Sequence, residues 1–215
     1  MPDSLRRLAP LSAIVFAICL AVTFILTGNT PDQDQTGQQV ISYYQDHHSK
    51  IVIGNLIAAL GVPFFLFFVA TLRGYLRKNE AAEVPATMML VGAGMLAIGG
   101  GIFISLEFAL ADVRNDIVPA AAQAINVLDN ELFWPFGFGV CVFGIGAGLA
   151  ILNGGGLPRW LGWVAFVLGI LAFTPVAFFS FIVFLLWSAV VGIMIFRSQG
   201  TAPAAGAPAA SPGVT

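Results

Sequence analysis

Four near-continuous apolar runs, at residues 8–27, 51–72, 86–110 and 133–152, and a fifth of double length at 157–196, constrain this chain more than any other feature. A hydrocarbon core about 30 Å thick takes about 20 apolar residues to cross as a helix, at a rise of 1.5 Å each. Inside it every backbone N–H and C=O must be satisfied within the segment, which an α-helix does alone. The four shorter runs each match one crossing. The fifth, forty residues long, would make one helix of about 60 Å, and Thr174-Pro175 breaks it near its middle. The sequence therefore predicts an all-α, polytopic bundle of six transmembrane helices. All 19 Phe lie inside these runs and all three Tyr outside them, which supports the boundaries.

Charged residues make up only 9% of the 215 positions and the formal net charge is −2, where soluble domains carry about 25% charged residues. So few charges cannot cover so much apolar surface in water. A water-soluble enzyme, a disordered chain and a nucleic-acid binder are excluded, and the partner implied is the lipid bilayer.

Orientation follows from the basic residues of the short connections. With the N-terminus inside, Arg6, Arg7, Arg73, Arg77, Lys78, Arg159 and Arg197 are cytoplasmic, and only Lys50 and Arg114 are outside. The expected location is the plasma membrane, multi-pass, with both termini cytoplasmic. The two long connections, 28–50 and 111–132, then face outward with seven acids: Asp32, Asp34, Asp46, Asp112, Asp116, Asp129 and Glu131. The first run is read as a retained span, because it is longer than the apolar part of a signal peptide and no A-x-A site follows. Residues 1–198 form one transmembrane domain, and the Ala-, Pro- and Gly-rich stretch 199–215 is expected to be a disordered cytoplasmic tail.

Each long outer loop is expected to carry a short amphipathic helix. Thr36 with Gln39 forms a capping-box pattern, after which Val40, Ile41 and Tyr44 recur at helical spacing. Pro119 suits a first helical position, and Ile125, Leu128 and Leu132 follow on one face. Spans one and three start 78 residues apart (8 to 86) and precede outer loops of 23 and 22 residues. That spacing reads as two repeated hairpins plus a third with a tight turn.

Within lipid, small residues let helix backbones approach. The third span places Ala93, Ala97, Gly101 and Ser105 at four-residue spacing. The fourth has Gly137, Cys141, Gly144 and Gly148, and the fifth Gly162, Ala165, Gly169 and Ala172. These stripes predict close packing, with Gly101 and Gly144 at the contact of spans three and four. Pro63 is expected to kink span two. Trp134 and Trp160 read as interfacial anchors, whereas mid-span Trp187 needs a partner for its indole N–H.

Four polar residues form a layer about 4 to 6 Å below the outer boundary of their spans: Thr23, Asn55, Glu107 and Ser180. Glu107 is the only acid inside any span, and an intramembrane ionisable group is a candidate ligand, cation or proton site. The plainer alternative is a carboxylate that reaches the interface, bonds Asn55 or pairs with Arg114. The neighbours His47 and His48 point about 100° apart on a helix, and no further His exists to complete a zinc site. Cys19 and Cys141 read as small apolar residues. The sequence calls for no metal and no cofactor.

The stretch Gly156-Leu-Pro-Arg-Trp-Leu-Gly-Trp163, followed by Thr174-Pro175, resembles an uncharacterised family of bacterial six-span integral membrane proteins. Leu8-Ala-Pro-Leu-Ser12, Tyr43-Tyr-Gln-Asp-His47 and Pro119-Ala-Ala-Ala-Gln-Ala124 extend the likeness over nearly the whole chain. It implies no activity. The spans hold no G-x-S-x-G, no H-E-x-x-H and no paired acids, so no enzyme is indicated. The expected function is that of a non-catalytic membrane module holding a lipid, a small ligand or a partner protein at its extracytoplasmic mouth. The alternative is a small secondary transporter or a cation- or proton-coupled permease that uses Glu107.

Overall fold

The structure, a computed structural model, describes residues 7–77 and 79–200. Arg6, Lys78 and the tail 201–215 lie outside the described residues. A 3-10 turn, Ala9–Leu11, leads into α1 (Ser12–Thr27), followed by α2 (Gly37–Leu76). A second 3-10 turn, Glu80–Ala82, leads into α3 (Glu83–Asp112), then α4 (Pro119–Glu131), α5 (Phe133–Leu152), α6 (Arg159–Leu171) and α7 (Ala177–Gly200). The described residues contain no strand.

Five helical stretches are long and apolar enough to cross a membrane: Ala9–Thr27, Gly37–Leu76, Glu80–Asp112, Pro119–Leu152 and Ala177–Gln199. In the fourth stretch the apolar part is α5, and α4 lies against the end of the bundle. The double-length run divides as the Thr174-Pro175 break predicts, but unequally. Its first half, α6, has 13 residues, about 20 Å, because Thr174 turns its hydroxyl back to the Leu171 carbonyl oxygen at 2.8 Å and ends the helix.

The helices form a ring in chain order. α1 packs along α2, α2 on α3, α3 on α5, α5 on α6 and α6 on α7, and α7 closes on α1 and the Ala9–Leu11 turn. Aromatic rings fill the interior. Phe65 lies 4.7 Å from Phe16 and 5.9 Å from Phe143, measured between ring centroids. Phe143 lies 5.1 Å from Phe184, and Phe136 4.7 Å from Phe181. Trp187 is buried among them and donates its indole N–H to the Leu161 carbonyl oxygen at 3.0 Å, the partner its mid-span position required.

Small residues set the closest approaches, and α5 uses two faces for them. Toward α6, a Cβ on Gly144 would lie 2.6 Å from the Ala165 carbonyl oxygen and 2.8 Å from Gly169 Cα. A Cβ on Gly148 would lie 2.8 Å from the Gly162 carbonyl oxygen. Toward α3, a Cβ on Gly139 would lie 2.7 Å from the Leu96 amide nitrogen, and Gly92 of α3 abuts the Phe143 backbone. The α3 stripe needs correction: Ala93 is buried, but Gly101 has open space where its Cβ would be. Gly92, rotated from Gly101 by nine residues, supplies the contact instead. Every face of α3 is apolar, so spacing alone did not fix which one turns inward.

At the end opposite the two long connections, glycine makes the α5–α6 turn possible: Gly154 and Gly156 take φ of +94° and +78°. That end is knitted by Asn79, which donates to the Asn153 carbonyl oxygen at 2.8 Å, and by the Arg77–Glu83 ion pair at 2.6 Å.

The outer-loop helices differ from expectation in two ways. The first is no separate helix, since α2 is continuous from Gly37 to Leu76: no Gly or Pro interrupts 38–53, and the capping box of Thr36 and Gln39 starts it. It also continues through Pro63. The second, α4, begins with Pro119 at its first turn, but of Ile125, Leu128 and Leu132 only Ile125 packs against the small core around Tyr44, and the fully buried face lies elsewhere. Leu128 is 53% exposed, and the buried residues are Ala122, Asn126 and Asp129. Backbone contact fixes this rotation, because Gly37 abuts the Pro119 carbonyl so closely that no Cβ fits. Outward-facing Leu costs little where the surroundings are themselves apolar.

Candidate functional site

Around the outer part of α2, a second small core of Val40, Ile41, Tyr44, Ile51, Leu110, Ala111 and Ala122 is separate from the aromatic interior. Side-chain hooks hold it shut. Asn126 donates to the Asp32 carbonyl oxygen at 3.0 Å, and Asn130 donates to the carbonyl oxygens of Pro31 at 3.2 Å and Asn126 at 2.9 Å. The Tyr43 hydroxyl donates to the Thr27 carbonyl oxygen at 2.8 Å. The connection 28–36 is thereby strapped to α4 at Pro31 and Asp32, and the end of α1 is tied to α2.

Beneath this roof, three helices bring together five polar side chains. Tyr44 and Asn55, eleven residues apart and so on one face of α2, come from one side. Glu107 comes from α3, and Asn126 and Asp129, one turn apart, from α4. None is more than 2% exposed. The Asn55 amide is directed at the Glu107 carboxyl group but makes no hydrogen bond of ordinary length. Tyr44 Oη, Asn126 Oδ1 and Asp129 Oδ1 also lack a hydrogen-bond partner. Buried polar atoms are nearly always satisfied, so four orphans among five neighbouring residues distinguish this chamber from ordinary packing.

Its electrostatics are one-sided. Burial first, and then the nearby Glu107 carboxylate, push the Asp129 carboxyl up to about 8. Burial raises the Tyr44 phenol far above its ordinary range, with Glu107, Asp129 and Tyr43 adding in that order. Among the described residues no base pairs with these acids. Arg114, the expected alternative partner of Glu107, donates to the Ala111 carbonyl oxygen at 2.6 Å. Among the described residues the ion pair is Arg77–Glu83, at the far end.

Of the four residues named from sequence, the structure brings Glu107 and Asn55 together. Thr23 donates to the Gly54 carbonyl oxygen at 2.9 Å and fastens α1 to α2, and Ser180 donates to the Leu168 carbonyl oxygen at 2.7 Å and fastens α7 to α6. Sequence reasoning passed over Tyr44 as a polar group, Asn126 and Asp129. The signal for the last two was the Ala122, Asn126, Asp129 spacing of i, i+4, i+7, one helical face. His47 stacks on Tyr43 at 4.5 Å, with Nδ1 3.0 Å from the Tyr43 carbonyl oxygen. Cys19 and Cys141 are free thiols. Among the described residues no group of three or more His, Cys, Asp and Glu could hold a metal ion.

Next to the strap lies an open cleft of about 810 Å³ between residues 32–34, the α4–α5 junction and the turn before α7. Asp32, Asp34 and Glu131 edge it, and Phe133, Trp134 and Phe178 wall it. No protein-family model, curated protein or solved structure matches this chain. The functional reading accordingly rests on the chamber and its roof.

Proposed function

We propose that this protein is a non-catalytic, multi-pass membrane module that binds a small polar ligand in the chamber of Tyr44, Asn55, Glu107, Asn126 and Asp129, at its extracytoplasmic mouth. One observation carries the reading: four buried polar atoms, two on α2 and two on α4, lack partners beside Glu107 of α3 under a roof that closes over them. A merely structural polar layer is expected to satisfy its members, as Thr23 and Ser180 do here. The transporter alternative draws on the same Glu107. It is less favoured because secondary transporters commonly place substrate near the midplane on broken helices, whereas aromatic rings fill this interior.

In this reading the bundle crosses a bacterial plasma membrane six times, with α6 as a short fifth crossing and both termini cytoplasmic. The Lys and Arg distribution supports that orientation. Single cysteines placed at Asp34 and Glu80 test it with a membrane-impermeant thiol reagent on intact cells, after Cys19 and Cys141 are replaced by Ala. Position 34 should label and position 80 should not; labelling at 80 from outside overturns the topology.

The binding reading is tested by thermal unfolding of the detergent-purified chain against alkali and alkaline-earth chlorides, polyamines, and neutral and anionic lipids. At least one class should raise the midpoint of the native protein and leave a Glu107→Gln/Asp129→Asn double variant unmoved. If the double variant is the more stable and the whole panel affects both proteins alike, the chamber is structural and the reading fails.

A further inference from the structure

We propose that the chamber takes a small monovalent cation, held on oxygen by Glu107 and Asp129 with Asn126 and Tyr44 completing the shell. This rests on the binding reading above and names its ligand. Charge is the first argument. Two carboxyl groups lie close together, each at 2% exposure, and among the described residues no Lys, Arg or His pairs with either. Buried charges in proteins are paired or hold a metal ion, because transfer from water costs several kcal/mol even after relaxation.

The donor set is the second argument. Orphaned acceptors Asn126 Oδ1 and Asp129 Oδ1 lie one turn apart on the buried face of α4, and the orphaned Tyr44 hydroxyl of α2 lies within electrostatic reach of Asp129 and Glu107. All are hard oxygen donors. No sulfur or imidazole joins them, so the soft and borderline transition metals have no preferred ligand here. Two carboxyl groups fall short of the acid-rich shells that calcium usually takes. The Asn55 amide, aimed at Glu107, has the role of donating to that carboxylate and setting its orientation while the cation occupies the other side. Access from the loop end is favourable, since the two long connections carry seven acids against Lys50 and Arg114, a field that concentrates cations at the mouth.

The experiment uses the full chain in a neutral detergent at a fixed pH of about 8, with choline chloride holding the ionic strength constant. Thermal unfolding is followed as sodium or potassium chloride replaces choline, with calcium chloride in a separate arm. One alkali ion should raise the midpoint in a saturable way. Asp129→Asn should weaken its apparent affinity by about tenfold or more, and Tyr44→Phe, which keeps the ring and its packing, by severalfold. Should Asp129→Asn not fold, the Tyr44→Phe comparison decides alone. Three results overturn the proposal. Calcium acting at concentrations far below those of sodium and potassium makes the site divalent. Alkali ions no better than choline, with the same stabilisation appearing on acidification to about pH 6, make the occupant a proton. Alkali ions that stabilise native protein and Tyr44→Phe alike act elsewhere. In each of these cases the chamber still binds something, or fails, by the separate result of the Glu107→Gln/Asp129→Asn panel.

Discussion

Replacing Gly144 by Leu is expected to lower the stability of the purified protein by about 1–3 kcal/mol or more, because a side chain must enter where helix backbones already touch. A Cβ alone would lie 2.6 Å from the Ala165 carbonyl oxygen and 2.8 Å from Gly169 Cα. Both neighbours are backbone and cannot rotate away. Leu at Gly101, which has no atom within 4 Å of its Cβ position, should change stability by no more than about 0.5 kcal/mol. The two variants share a substitution and a membrane setting, so their comparison isolates packing. Equal midpoints in detergent unfolding would show that the α5–α6 contact does not hold the bundle together.

Gly37→Val addresses the roof. The start of α2 and the start of α4 meet backbone to backbone, with Gly37 against the Pro119 carbonyl. Any larger residue must push α4 off Tyr44 and off the strap, along with the hydrogen bonds of Asn126 and Asn130. Hydrogen exchange over 119–131 should accelerate by at least about tenfold, while the aromatic interior keeps its protection, because local opening is independent of global unfolding. Unchanged exchange in that segment would mean that α4 is held by something other than this contact.

The long apolar helices were legible because lipid imposes a length rule that apolar runs obey visibly, and Thr174-Pro175 marked the division between α6 and α7. The need of Trp187 for a partner was legible from its position alone. Rotation was not. Around a membrane helix the inward and outward faces are both apolar, so the stripe through Gly101 looked no different from the contacting face through Gly92. For the site, Glu107 stood out as the lone acid within a span and Asn55 as its neighbour in depth. Asp129 and Asn126 belong to a connection where charged residues normally meet water, and tertiary contacts, the approach of Gly37 to Pro119 and the hydrogen bonds of Asn126 and Asn130, turn them inward. Tyr44 recurs with Val40 and Ile41 as an apolar marker of a helix, a role it fills while its buried hydroxyl stays unpartnered.

Mechanically, α2 is a strut. Its forty residues span about 60 Å as one body, with the roof contact at Gly37 near one end and the Tyr75 hydroxyl, bonded to the Gly156 carbonyl oxygen at 3.2 Å, near the other. A rigid tilt of this rod about its close contact at Gly61, where a Cβ would lie 3.1 Å from Cys19 Cβ, would move its two ends in opposite directions. Lifting the roof and shifting the α5–α6 turn would then be one motion, with the two ends of the bundle on a single lever arm.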